Sequence, residues 1–230
     1  MTAGTAPLTI EDMIRSVPEG ETRLFKRLRK DAGQERFLAV RQNWNYNRAR
    51  GWHNSPSAET RPRMGTRLTA RVPVTVLETP DVTLDGSKSD LVDFYSSIHR
   101  VYFLSERLAA FIEHLDPGSL EGVAMEIRTK DGAAPYRAIM PARRINAVDP
   151  ARTDVSIGKT IAGFWYPDVN FPNGIVFRSD IDAAIHNFSD QDTQDWYWSR
   201  ELIDAVRDAG MRGLETVSPM SGKEYSVDLF

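Results

Sequence analysis

Oxygen donors crowd the stretch from Asp190 to Glu201, and calcium is the chemistry they suggest first. Counting from Asp190, donors fall at positions one (Asp190), three (Asp192) and five (Gln194), and Glu201 falls at twelve, the spacing of a helix–loop–helix calcium site. Position six of such a loop turns sharply and takes glycine, yet here it is Asp195. Glu201 also belongs to the helix that opens after Ser199, so a solvated acidic loop is the favoured reading and no metal is expected. Of the four histidines, His114 has Asp116 two residues on, an acid–base combination on paper. It stands at the end of an amphipathic stretch, where a histidine meets terminal carbonyls. Trp44, Tyr46, Arg48, Arg50, Trp52 and His53 interleave rings with cations, a mixture that can stack bases and neutralise phosphates. No known nucleic-acid module accompanies them and the pI is about 5.9, so nucleic-acid binding is not expected. The chain has no Gly-x-Ser-x-Gly elbow, phosphate-binding glycine loop, His-Glu-x-x-His or Cys-x-x-Cys.

The elements that would hold any such residues show a repeat. Tyr102-Phe103-Leu104-Ser105, Leu108, Leu120-Glu121 and Val123 recur 94 positions later as Trp196-Tyr197-Trp198-Ser199, Leu202, Leu214-Glu215 and Val217. Each copy (102–123 and 196–217) reads as strand, helix, strand. Ser105 and Ser199 are placed to accept from first-turn amides, and Glu106 and Glu201 suit the positive end of the helix dipole. Leu104, Leu108, Phe111, Ile112 and Leu115 form one apolar stripe; Leu202, Val206 and Ala209 form the other, with Ile203 on its margin. Asp116-Pro117-Gly118 and Gly210 end the two helices. Duplication and shared helix-and-strand constraints both account for the identities.

At 230 residues the chain fits one large domain or two small ones. Without cysteine it has no disulfide, thiolate metal site or cysteine nucleophile. No secretory signal is read at the start and no apolar run reaches the roughly 20 residues that cross a bilayer, so a soluble cytoplasmic protein is expected, with no membrane contact. The net charge of −3 is unevenly spread. Residues 1–71 hold 14 Lys+Arg against 7 Asp+Glu, whereas 72–230 hold 15 against 25. An acidic body steers basic partners, although solvated faces alone also explain the asymmetry.

Residues 1–32 read as a basic helical segment, with a second helix over Glu21–Lys30, and 33–230 as a single domain. Strands are expected at Arg36–Arg41, Val72–Leu77, Val123–Arg128, Tyr136–Met140, Arg143–Val148, Ile161–Tyr166, Ile175–Arg178 and Glu224–Leu229. Asp131-Gly132 marks a hairpin turn. Leu91–Phe94 reads as a short helix or turn, Ile181–Phe188 as strand or helical turn, and 43–67 as a long loop. Strands in runs with few helices predict an α+β fold, a mixed and mostly antiparallel sheet with a few packed helices.

Several segments together resemble a family of bacterial immunity proteins encoded beside polymorphic toxins. They are Phe37–Val40, Leu91–Phe94, Phe103–Leu108 running through Asp116-Pro117-Gly118 to Leu120-Glu121, Ile145–Asp149, Ile175–Arg178, and Ser199–Leu202 leading to Gly210–Leu214. The resemblance spans roughly residues 34–220. Where the family has phenylalanine after the final Gly-Leu, this chain has Glu215, which puts the last strand in question. The resemblance implies an α+β fold, no catalytic set, no cofactor, and a cytoplasmic protein that binds and neutralises a toxin. On that reading Asp180, Asp182, Asp190, Asp192, Asp195 and Trp196 are candidate contacts to a basic toxin. Two other readings stand beside it: an enzyme with a pocket of Arg143, Arg144, Asp149, Arg178 and Asp180, and a nucleic-acid-binding accessory protein using the basic front.

Overall fold

Both aromatic triplets end in a serine whose backbone is still extended, φ −56° and ψ 150° at Ser105, φ −65° and ψ 152° at Ser199. At each serine the chain turns directly from strand into helix, because the hydroxyl accepts a first-turn amide that would otherwise go unpaired. Ser105 accepts from the Leu108 amide at 3.2 Å and Ser199 from the Leu202 amide at 3.1 Å. Replacing Ser199 by alanine is expected to cost about 1 kcal/mol. Urea unfolding would check this, and an unchanged midpoint would show that the hydroxyl is not capping.

The structure, a computed structural model, describes residues 35–43, 82–84, 86–96, 101–149, 174–191 and 195–221. It also describes strand backbones at 23–26, 155–159, 165–169 and 224–226, and residues 15, 152, 153, 161, 163 and 193. The elements in chain order are β1 (Arg23–Lys26), β2 (Phe37–Gln42), β3 (Val82–Thr83), a 3₁₀ turn at Lys88–Asp90, β4 (Phe94–Ser96), β5 (Tyr102–Ser105), α1 (Glu106–Leu115), β6 (Leu120–Thr129) and β7 (Gly132–Pro141). There follow β8 (Arg144–Ile145), β9 (Val155–Lys159), β10 (Trp165–Val169), β11 (Asn187–Asp190), β12 (Trp196–Ser199), α2 (Arg200–Asp208), β13 (Leu214–Val217) and β14 (Glu224–Ser226).

The repeat is a topological one. One sheet has the order β3-β6-β7-β5-β4, and β7 runs antiparallel to both β5 and β6. The crossover β5–α1–β6 therefore joins parallel strands with a third strand between them, a split strand–helix–strand unit. The second sheet has the order β14-β13-β2-β12-β11-β8, and β2 is antiparallel to both β12 and β13. β12–α2–β13 is thus a second split unit. The central strand follows by hairpin in the first unit and comes from far upstream in the second. The fold is α+β, with antiparallel pairs dominating and parallel pairs only at β3/β6 and β8/β11 among the described strands.

Alternation within the triplets explains why all their residues are apolar. Tyr102 and Leu104, with Trp196 and Trp198, join Leu38, Val40, Leu108, Ile112, Leu202, Val206 and Leu214 in one core shared by α1, α2 and these two sheets. Phe103 points to the far side with Tyr95, Met125, Ile127 and Tyr136, while Tyr197 points to the far side with Phe37, Phe188 and Val217. Strands covered on both faces need continuous apolar runs rather than alternation. Gly118 and Gly210, at φ +71° and +65°, end the helices in the left-handed region. Ile203, placed on the margin of its stripe by sequence, is buried, and Ala209 lies beyond the helix at its cap.

β2, β6, β7 and the turn before Gly132 form as read, and β13 forms despite Glu215. Arg23–Lys26 is a strand paired with β9, not part of a basic helix, because pairing with a strand distant in sequence overrides local helical propensity. Phe94 opens a strand; the short helical turn lies upstream at Lys88–Asp90. The strand read over Ile161–Tyr166 begins at Trp165, and that over Ile175–Arg178 reduces to a single bridge from Phe177 to Val148. The 43–67 loop beyond Asn43 and the Val72–Leu77 strand lie outside the described residues.

Candidate functional site

Two buried carboxylates tie the units together. Asp93, just before β4, receives Arg107 Nε and Nη2 at 2.7 Å each, Ser105 Oγ at 2.6 Å and the Arg212 amide at 2.8 Å. Its own amide donates to the Arg212 carbonyl at 2.8 Å. Burial pushes the Asp93 carboxyl up, but the hydrogen bonds from Arg107, Ser105 and the Arg212 amide outweigh it and hold the group below its usual range. Gly213 follows at φ +91°, and a Cβ there would stand 2.5 Å from Val92 Cγ2. Only glycine allows this approach.

Asp116, the C-cap of α1, is 1% exposed. Its Oδ2 accepts the amides of His186 and Asn187 at 3.0 and 2.9 Å and Asn187 Nδ2 at 3.0 Å, while Arg143 donates to Oδ1. Asn187 passes the network on: Nδ2 donates to Ser119 Oγ at 2.7 Å, and Oδ1 accepts Trp196 Nε1 at 3.1 Å. Asp93 therefore joins the start of β4 to the first turn of α1 and to the loop between α2 and β13, and Asp116 joins the end of α1 to the start of β11.

His186 occupies in the second unit the position Asp93 holds in the first. Phe94 pairs with Leu104 and Asn187 with Trp198, and each capping serine donates its amide to the carbonyl just before those strands. The residue types are exchanged: Arg107 clamps Asp93, whereas Glu201, 94 positions on, lies 3.7 Å from His186 Nδ1. Ser199 Oγ is 3.0 Å from the same nitrogen. Serine, histidine and glutamate are the residue types of a hydrolytic set, but there the acid and the hydroxyl engage opposite ring nitrogens. Here both face Nδ1, and the hydroxyl of a serine only 3% exposed accepts the Leu202 amide. The arrangement is a helix cap.

Beside this cap the chain presents an irregular exposed segment, 178–185. Arg178 Nε and Nη2 hold Asp180 at 3.0 and 2.8 Å, and the pairing keeps Asp180 below its usual range. Asp182 Oδ1 accepts the Ala184 amide at 2.9 Å. Ile181 and Ile185 pack against the Phe37–Tyr197 core. The Arg36 guanidinium donates to the carbonyls of Ile181, Asp182, Ala183 and Ile185 at 2.7–3.1 Å.

The six candidate contact residues separate accordingly. Asp180 and Asp182 are exposed and Asp195 is half-buried. Asp190 is 0% exposed, its Oδ2 accepting the Ala147 and Val148 amides and its Oδ1 the Thr193 amide. Trp196 is 1% exposed and donates to Asn187. These two cannot touch a partner from the interior, which corrects their assignment: one fixes main-chain amides and the other fills the shared core. Asp192 lies outside the described residues. Of the residues considered for a pocket, Arg143 is committed to Asp116 and Arg178 to Asp180, on different segments. Among the described residues, no group of three or more His, Cys, Asp or Glu could hold a metal ion.

Residues 29–218 match the Immunity protein family (Imm11). The chain belongs to this family. No curated protein matches it. The Imm11 match begins upstream of β2 and ends just past β13, so it takes in both split units and the Asp93 and Asp116 networks. Membership carries a toxin-neutralising function in general terms. Among the described residues no helix is long and apolar enough to cross a membrane. Sequence reasoning placed Ser105 and Ser199 correctly and missed Asp93, Asp116 and Arg36 as organising residues of this Imm11 chain. The signal for the first was present in Leu91-Val92-Asp93-Phe94, an acidic residue within an apolar run.

Proposed function

We propose that this chain protects a bacterial cell by binding a cognate toxin directly in the cytoplasm, without catalysing a reaction. The family match over 29–218 carries this reading. The networks around Ser105, Ser199, Asp93 and Asp116 support it, since these serines and carboxylates are committed to holding the fold. The recognition face is the exposed 178–185 segment, where Asp180 and Asp182 stand in solvent with half-buried Asp195 as a further candidate, and the partner is a basic protein surface.

The test is association kinetics with the toxin domain encoded beside this gene. Asp180→Asn with Asp182→Asn removes two charges while leaving acceptors for Arg178 and the Ala184 amide. Association is expected to slow about tenfold at low salt, with the difference shrinking as salt rises. Unchanged kinetics would exclude this face.

A further inference from the structure

Resting on that reading, we infer that Arg36 is a positioning residue for recognition: it holds the 178–185 segment in the form that the toxin meets. The segment belongs to no strand or helix, and three of the four carbonyls that Arg36 gathers are consecutive, at Ile181, Asp182 and Ala183. The fourth, Ile185, is reached at 3.1 Å by the same Nη2 that bonds Asp182 and Ala183. One planar fork reaching four carbonyls fixes their relative orientation in a way that a single ammonium cannot. Arg36 is itself fixed, since its guanidinium carbon lies 4.6 Å from the ring centroid of Phe37 at the start of central strand β2. The clamp thus transfers the rigidity of the second sheet, about 145 residues away in sequence, to an exposed turn. Its carbonyls are bonded to Arg36, while Asp180, paired with Arg178, and Asp182 are exposed.

A preordered segment binds better than a loose one because its ordering entropy is not charged to the complex. Arg36 adds nothing to attraction for a basic partner; its charge opposes it. Charge and positioning therefore predict opposite signs. Removing a cation from beside an acidic surface should tighten binding to a basic toxin, whereas loss of the clamp should weaken it.

The experiment is binding of the adjacent toxin domain to the Arg36→Ala variant of this chain, with Arg36→Lys as a variant that keeps the charge. Alanine is expected to weaken affinity about tenfold and lysine by less. Amide exchange at Ala184 and Ile185, which are bonded to Asp182, should quicken in both variants while exchange in β5 and β12 does not. In the Asp180→Asn, Asp182→Asn background the Arg36→Ala loss should largely vanish, since there would be little left to position. Tighter or unchanged binding by Arg36→Ala, or a loss that persists in that background, would overturn the inference. If Asp180→Asn with Asp182→Asn itself leaves binding intact, the fault lies in the proposed face; if it weakens binding while Arg36→Ala does not, the fault lies in the clamp.

Discussion

Replacing Asp116 by alanine is expected to cost about 4 kcal/mol. The substitution strips the acceptor from three N–H groups of His186 and Asn187, two of them buried, and leaves Arg143 without its carboxylate. A hydrogen bond lost with its partner still buried costs more than the bond contributed, because the orphaned donor cannot return to water. The loss also propagates, since Asn187 positions Trp196 in the shared core. Chemical denaturation of Asp116→Ala checks this against Asp204→Ala, whose carboxylate is 60% exposed and pairs with Arg207 on the surface of α2. That control should change stability by no more than about 0.5 kcal/mol. Similar costs for the two variants would show that Asp116 does not join the units.

The second large effect is at Asp93, where alanine should lower stability by about 2–3 kcal/mol and the melting temperature by about 5–10 °C. It falls below Asp116 because Arg107 is 55% exposed and can recover water, leaving the Arg212 amide and Ser105 as the groups that lose most. Asp93 also contributes a pH dependence. Its folded-state pKa lies below the unfolded value of about 3.9, so the unfolded chain takes up the proton first as pH falls. The contribution is present above that unfolded pKa and is lost as pH drops through the lower folded one. Asp93→Asn should therefore be less stable than the parent at pH 7 and converge toward it as pH falls below the unfolded carboxylate range. Parallel stability curves for the two across acid pH would contradict the assignment.

What could be read from sequence was local. The two capping serines, the apolar stripes behind them and the glycines that end the helices act within a few residues, so both strand–helix–strand copies are legible in the order of residues alone. The strand inserted into each copy is not. β7 lies one hairpin from β6, but β2 comes from more than 150 residues upstream of β12, and nothing in Phe37–Gln42 names its neighbours. The same limit hid the organising charges. Asp93 meets Arg107 fourteen residues away and Arg212 beyond a hundred, and Arg36 binds main-chain carbonyls, which leave no trace in side-chain types. Asp190 and Trp196 were misplaced for opposite reasons. An aspartate in an acidic run is ordinarily solvated, but this one is enclosed by three amides that replace water. A tryptophan beside acidic residues resembles an interface anchor, but alternation turns Trp196 inward with Trp198, leaving Tyr197 for the opposite face.

Neutralisation by occupancy is tested most directly by titrating the toxin domain with this chain while following toxin activity and the intact mass of both proteins. Inhibition should saturate at a fixed molar ratio, match the formation of complex, and leave both masses unchanged, with active toxin recovered on dissociation. Complete inactivation by far less than an equivalent of the chain, or a lasting change in the toxin's mass, would contradict binding as the mechanism.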